Sequence, residues 1–103
     1  MEVEMLKRYV IERDMPGVGK LSPTELGDGS KTSNAALTQL EGIQWVQSFV
    51  TADRIFCVYL AENENVIREH AKISGFPATR IHQVHSVIDP TTEKHCAAYS
   101  VAA

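Results

Sequence analysis

The stretch Arg54–Ala61 (RIFCVYLA) carries apolar side chains at both alternating positions, with Phe56, Val58 and Leu60 pointing one way and Ile55, Cys57 and Tyr59 the other. A strand with one wet face alternates apolar with polar, so this pattern predicts a strand in the middle of a sheet, covered on both sides. Upstream, Leu6–Arg13 (LKRYVIER) predicts the first strand, in which Tyr9 and Ile11 alternate with Arg8, Val10 and Glu12. Asp14-Met15-Pro16-Gly17 ends it in a turn. Ser22-Pro23-Thr24-Glu25 predicts a helix start: Ser22 caps, Pro23 suits the first turn, and Glu25 closes a capping box. That helix is expected to run towards Leu40, although Gly27 and Gly29 each cost roughly 1 kcal/mol relative to alanine in a helix interior. The glycines mark either a close backbone approach or an irregular turn, and Gly42 is the stop.

Ile43–Val50 (IQWVQSFV) predicts the second strand, with Ile43, Trp45, Gln47 and Phe49 sharing a face. Only Thr51-Ala52-Asp53 separates it from the central strand, so the two form an antiparallel hairpin. Glu62–Asn65 opens a second helix capped by Asn63, with Val66, Ile67, His70, Ala71 and Ile73 as its buried stripe. Gly75 and Pro77 terminate it, Arg80–Ile88 predicts the fourth strand, and the tail follows. The order strand, helix, strand, strand, helix, strand predicts an α+β, ferredoxin-like βαββαβ sandwich: a four-stranded antiparallel sheet with two helices on one face. One domain is expected across residues 1–103, with a core over about 6–89 and a tail over 90–103.

Two helices cover one face of such a sheet and leave the other open. Placing Tyr9, Ile11, Val46, Phe56, Val58 and Leu60 under the helices leaves Arg8, Val10, Glu12, Trp45, Gln47, Phe49, Cys57, Tyr59, Gln83 and His85 on the open face. Large aromatics on an exposed sheet mark an interface or ligand site, so a face-to-face homodimer enclosing a partly polar cavity is expected, as in dimeric α/β-barrels.

Charge and cysteine content narrow the partners. A net charge of −3 with no clustered Lys or Arg argues against a nucleic-acid binder, and no apolar run reaches signal-peptide or membrane-spanning length. Cys57 and Cys96 have no zinc-knuckle or disulfide-framework spacing, which points to the reducing cytoplasm. His82 and His85 are three apart in the predicted strand and therefore lie on opposite faces. His85 then joins Glu12 and Cys57, an imidazole, carboxylate and thiol set suited to nickel, copper or zinc. His82 is expected to face the helices beside His70, giving a second pairing, while the competing reading is a histidine hydrogen-bonded for structure alone. His95-Cys96 in the tail is a weak metal motif. No nucleophile elbow, phosphate loop or EF-hand is present, and Gly17-Val18-Gly19-Lys20 is a turn.

YVIERDMPG (Tyr9–Gly17), LSPTEL (Leu21–Leu26), IQWVQSFVTADRIFCVYLAENE (Ile43–Glu64), IREHAKISGFPATRI (Ile67–Ile81) and the following VIDPTT resemble a family of small ferredoxin-like proteins known as a domain of unknown function, which includes a nickel-responsive, nickel-binding bacterial protein. The resemblance spans about residues 8–92. It implies the ferredoxin-like fold, a dimer and nickel binding, and it carries over no ligand residue by residue. The first helix departs from the family in its glycines.

The expected function is therefore a small cytoplasmic homodimer that binds a divalent metal, nickel first, with His85, His70, Cys57 and Glu12 as candidate ligands and Trp45, Tyr59 and Arg13 lining the site. The rival is a cofactor-independent enzyme acting on a small organic acid or aromatic compound. In that reading Glu12 or His85 is the base, and Tyr59 or Arg13 orients an anion.

Overall fold

The computed structural model describes residues 5–94. The elements are β1 (Lys7–Asp14), α1 (Pro23–Leu37), β2 (Ile43–Val50), β3 (Arg54–Ala61), α2 (Glu64–Ser74) and β4 (Arg80–Gln83), with short 3-10 turns at Val18–Lys20 and Pro90–Lys94. The sheet order is β2-β3-β1-β4 and every pairing is antiparallel, the ferredoxin-like arrangement. β3 lies between β2 and β1, as its two apolar faces demand. Among the described residues no helix is long and apolar enough to cross a membrane.

The helix signals act as read. Ser22 Oγ accepts from the Glu25 N–H and Glu25 Oε1 from the Ser22 N–H, so both halves of the capping box form. Asn63 Oδ1 accepts from the Val66 N–H, and Gly75, at φ 82°, supplies the left-handed residue that ends α2. α1 ends at Leu37, three residues before the expected Leu40, with Thr38 as its cap. Its glycines fit neither expectation: the helix is continuous through both, and no backbone approaches either. A Cβ at Gly27 would meet nothing within 4 Å, and one at Gly29 only the Phe76 ring at 4.0 Å.

The core sets the phase of β3. Register places Tyr9 opposite Tyr59 and Ile11 opposite Cys57, and directly paired residues share a face. Tyr9, Ile11, Cys57, Tyr59 and Ala61 are buried together with Ile67 of α2, so this set faces the helices. The expected phase was the reverse. Phe56, Val58 and Leu60, assigned above to the helix side, are half-buried on the open face, and Cys57 and Tyr59 lie beneath the helices. The physical reason is shape and polarity. Ala61, with no accessible surface, makes room for a helix, while the polar atoms of Cys57 and Tyr59 find a partner in the interlayer space.

β2 departs from strict alternation. A bulge at Val46 puts Trp45 opposite Tyr59 and Ser48 opposite Cys57, on the helix side, and Gln47 and Phe49 on the open side. Trp45 therefore leaves the open face assigned to it, and Val46, expected in the core, is exposed. β4 has four residues where nine were expected; Val84 still donates to the Arg8 carbonyl, but His85 lies beyond the strand. His82 pairs opposite Val10, on the open face rather than under the helices, and Gln83 opposite Tyr9, on the helix side.

Enlarging a side chain at Ala61 forces the helix layer off the sheet. Ala61→Leu is expected to destabilise the fold by about 1–3 kcal/mol in urea denaturation, as overpacking does.

Candidate functional site

β1 alternates between two chemical environments. Arg8, Val10, Glu12 and Asp14 project from the open face, whereas Tyr9, Ile11 and Arg13 project under the helices.

On the open face Glu12 sits between the two strands that flank β1. Its carboxylate accepts from His82 Nε2 at 2.7 Å and from Arg80 Nε at 3.1 Å, and Arg54 Nη1 stands 3.8 Å away. Arg54 and Arg80 also hold Asp14, at 3.0 and 2.9 Å. These contacts, the His82 hydrogen bond foremost and then Arg80, hold the Glu12 carboxyl below its ordinary value of 4.5, so it is ionised at neutral pH. Beside the cluster lie the half-buried side chains of Val10, Phe56, Val58 and Leu60, with Phe49 53% exposed. A hydrophobic strip next to an ionised carboxylate and an imidazole has the components of an interface with a polar centre.

On the other side of the sheet Arg13 is buried, only 2% exposed. Its Nη1 donates to the Pro77 carbonyl at 2.8 Å, its Nη2 to Tyr59 Oη at 3.4 Å and its Nε to Cys57 Sγ at 3.4 Å. The guanidinium lies 6.0 Å from the centre of the Tyr59 ring. None of these partners is charged, and among the described residues no carboxylate pairs with it. Arg13, Cys57, Tyr59, Trp45, Ser33 and Gly29 line a cavity of about 220 Å³ between α1 and the sheet.

His70 of α2 closes the back of this layer. Its Nε2 lies 3.2 Å from Ser33 Oγ and 3.3 Å from the Ser33 carbonyl, and its ring tilts against Tyr59 at 5.4 Å between centroids. Its Nδ1 is buried and has no partner among the described residues. Burial, reinforced by the positive charge of Arg13, lowers the His70 pKa from the ordinary 6.5 and keeps the ring neutral, against a smaller opposing effect of the Ser33 backbone. Burial likewise raises the Tyr59 pKa above 10.0, the Arg13 charge opposing it.

The four expected ligands do not meet within one protomer. Glu12 is on the open face, Cys57 and His70 are buried on the helix side, and His85 is exposed beyond β4. Trp45, Tyr59 and Arg13 share one cavity, but it lies between sheet and helices rather than on the open face. His95 and Cys96 lie outside the described residues. Among the described residues no three His, Cys, Asp or Glu side chains gather closely enough to hold a metal. Sequence reasoning missed His82 as the partner of Glu12. The signal was available in its two-residue spacing from Arg80, since both belong to one face once the strand is in register.

The architecture and the two-sided chemistry of β1 define a ferredoxin-like α+β domain. A family model described as "Nickel responsive protein SCO4226-like" matches residues 9–84, most of the chain, and the chain belongs to that family. The crystal structure of SCO4226 from Streptomyces coelicolor A3(2) matches this fold with a TM-score of 0.64 at 20% sequence identity, covering 79% of this chain and 99% of that one. No curated protein sequence matches the chain.

The lowered His70 pKa links stability to pH. The unfolded chain, with His70 near 6.5, binds this proton before the folded state does, so stability falls as pH drops through that value. Glu12 is lowered from 4.5 and so loses its contribution only in more acidic solution. The melting temperature is expected to fall between pH 7 and pH 5, and His70→Gln is expected to flatten that slope in thermal melts followed by circular dichroism.

Proposed function

We propose that this protein binds a divalent metal ion, nickel first, at the open sheet face of a face-to-face homodimer, with Glu12 and His82 of each copy as donors. The observation that carries the reading is the 2.7 Å contact between the Glu12 carboxylate and His82 Nε2 beside a half-exposed apolar strip. Imidazole and carboxylate donors suit a borderline ion such as nickel. Membership of a family described as nickel-responsive supports the choice of metal.

One protomer offers two such donors, short of a full coordination set, so a second copy is the natural source of the rest. Meeting its own copy costs this face little in charge repulsion: Glu12 and Asp14 balance Arg54 and Arg80, and Arg8 is the further charge beside them. Arg80 and Arg54 compete with a cation for Glu12, which makes binding weaker in the free protomer and sensitive to how the dimer rearranges them. Cys57 and His70, behind the sheet, take no part in this site, and His85 is a peripheral donor at most. The compartment proposed is the cytoplasm, in keeping with the free, buried Cys57 thiol.

In the rival enzyme reading a base at Glu12 stands across the sheet from Arg13 and Tyr59, so those residues do not form one site within a protomer.

Calorimetric titration of untagged protein with nickel, paired with light scattering at micromolar concentration, tests the proposal. A dimer mass is expected. His82→Ala and Glu12→Gln are each expected to weaken nickel binding about tenfold or more, and His70→Gln to leave it unchanged. Unaltered affinity in both open-face variants contradicts the site, and a monomer mass contradicts its assembly.

A further inference from the structure

The open-face site makes no use of the interlayer cavity, whose construction is that of a binding site in its own right. Three aromatic residues, Trp45, Tyr59 and Phe76, contribute to its wall, and Arg13 brings a positive charge that is 98% withdrawn from solvent, being 2% exposed. A guanidinium carries five N–H donors. Three of them are engaged here, by Pro77, Tyr59 and Cys57, all neutral acceptors, which leaves two. A buried charge without a counter-charge costs several kcal/mol, and an unmade hydrogen bond to it adds to that cost.

We propose that this cavity binds a small aromatic monocarboxylate, its carboxylate paired with Arg13 and its ring held among Trp45, Tyr59 and Phe76. The anion supplies the counter-charge that the described residues do not. Arg is the side chain whose planar fork matches a carboxylate. With Tyr59 protonated and His70 neutral, Arg13 is the cation of this space. Size limits the ligand. An apolar cavity of about 150 Å³ accepts benzene, and the additional room in about 220 Å³ matches a carboxylate on that ring. A drug-sized molecule needs roughly 300 Å³ or more. Of the lining residues Leu21, Leu26 and Val50 are themselves exposed, which puts the cavity's opening beside them. Glu25, the acidic residue of the rim, is turned back onto the Ser22 N–H at 2.9 Å.

The glycine of α1 that resembled a flaw now has a place. Gly29 lines the cavity, and a Cβ there would meet only Phe76, at 4.0 Å. A larger side chain at this position occupies the ligand's space while improving the helix.

The test is a titration of chelator-treated, metal-free protein with benzoate and with the neutral benzamide, so that its outcome is independent of any metal site. The indole N–H resonance of Trp45, the sole tryptophan, reports occupancy. Benzoate is expected to saturate at a concentration about tenfold or more below benzamide. Arg13→Met is expected to abolish that preference, and Gly29→Leu to abolish binding of both while retaining a folded spectrum. No saturable benzoate binding overturns the proposal, as does equal affinity for the two compounds. Benzoate binding that survives Gly29→Leu places the ligand elsewhere and overturns it as well. Should Arg13→Met fail to fold, the benzoate preference of the wild-type protein and the Gly29→Leu result decide.

Discussion

A guanidinium enclosed between a sheet and its helices constrains everything packed around it. Arg13 is drawn out of water at a cost of several kcal/mol, and the groups that meet three of its five donors are Tyr59, Cys57 and the Pro77 carbonyl. Those three partners come from β3 and from the segment following α2, so one side chain on β1 ties the centre of the sheet to the exit of the second helix. Because Tyr59 and Cys57 must turn towards Arg13, Phe56, Val58 and Leu60 must turn away from it. The exposed apolar strip on the open face is thus the geometric counterpart of the buried polar cluster on the helix side.

β1 separates two chemistries by a single alternation. Glu12 looks outward to an imidazole and two arginines; Arg13 looks inward to a phenol and a thiol. A cation-seeking group and an anion-seeking group are adjacent in sequence, yet the sheet lies between them. The proposed metal site and the proposed anion site therefore share no side chain. What lies between them is the backbone of residues 12 and 13, paired with Phe56 and Ile55 of β3.

Much of the fold was legible because local chemistry fixes it. The bounds of β2 and β3, the Ser22 capping box, the Asn63 cap and the Gly75 stop follow from residue type at fixed spacing. The orientation of β3 was not legible by the same means. Period-two alternation sorts Ile55, Cys57 and Tyr59 from Phe56, Val58 and Leu60, but when both sets are apolar it does not say which set meets the helices. Charged residues sort the faces of β1 through Arg8 and Glu12, but Ile55–Ala61 of β3 holds none. Arg13 held the missing information: it lies two residues from Ile11 and so shares the buried face, where it requires polar company. The Val46 bulge is a second limit, because one extra residue reverses the face of all that follows in β2. The same limit applies to the residues around Glu12. Glu12 was placed on the open face, while its partner His82 was hidden by assigning that strand the opposite phase.

The central claim is that the Arg13 side chain is locked beneath the helices against Tyr59 and Cys57, and its Nε–H resonance in a ¹⁵N-labelled sample measures this most directly. A sealed guanidinium gives a sharp Nε–H signal that exchanges slowly with water and shows nuclear Overhauser contacts to the Tyr59 ring and the Cys57 β-protons. A resonance that exchanges as fast as those of surface arginines, with no contact to either residue, would contradict it.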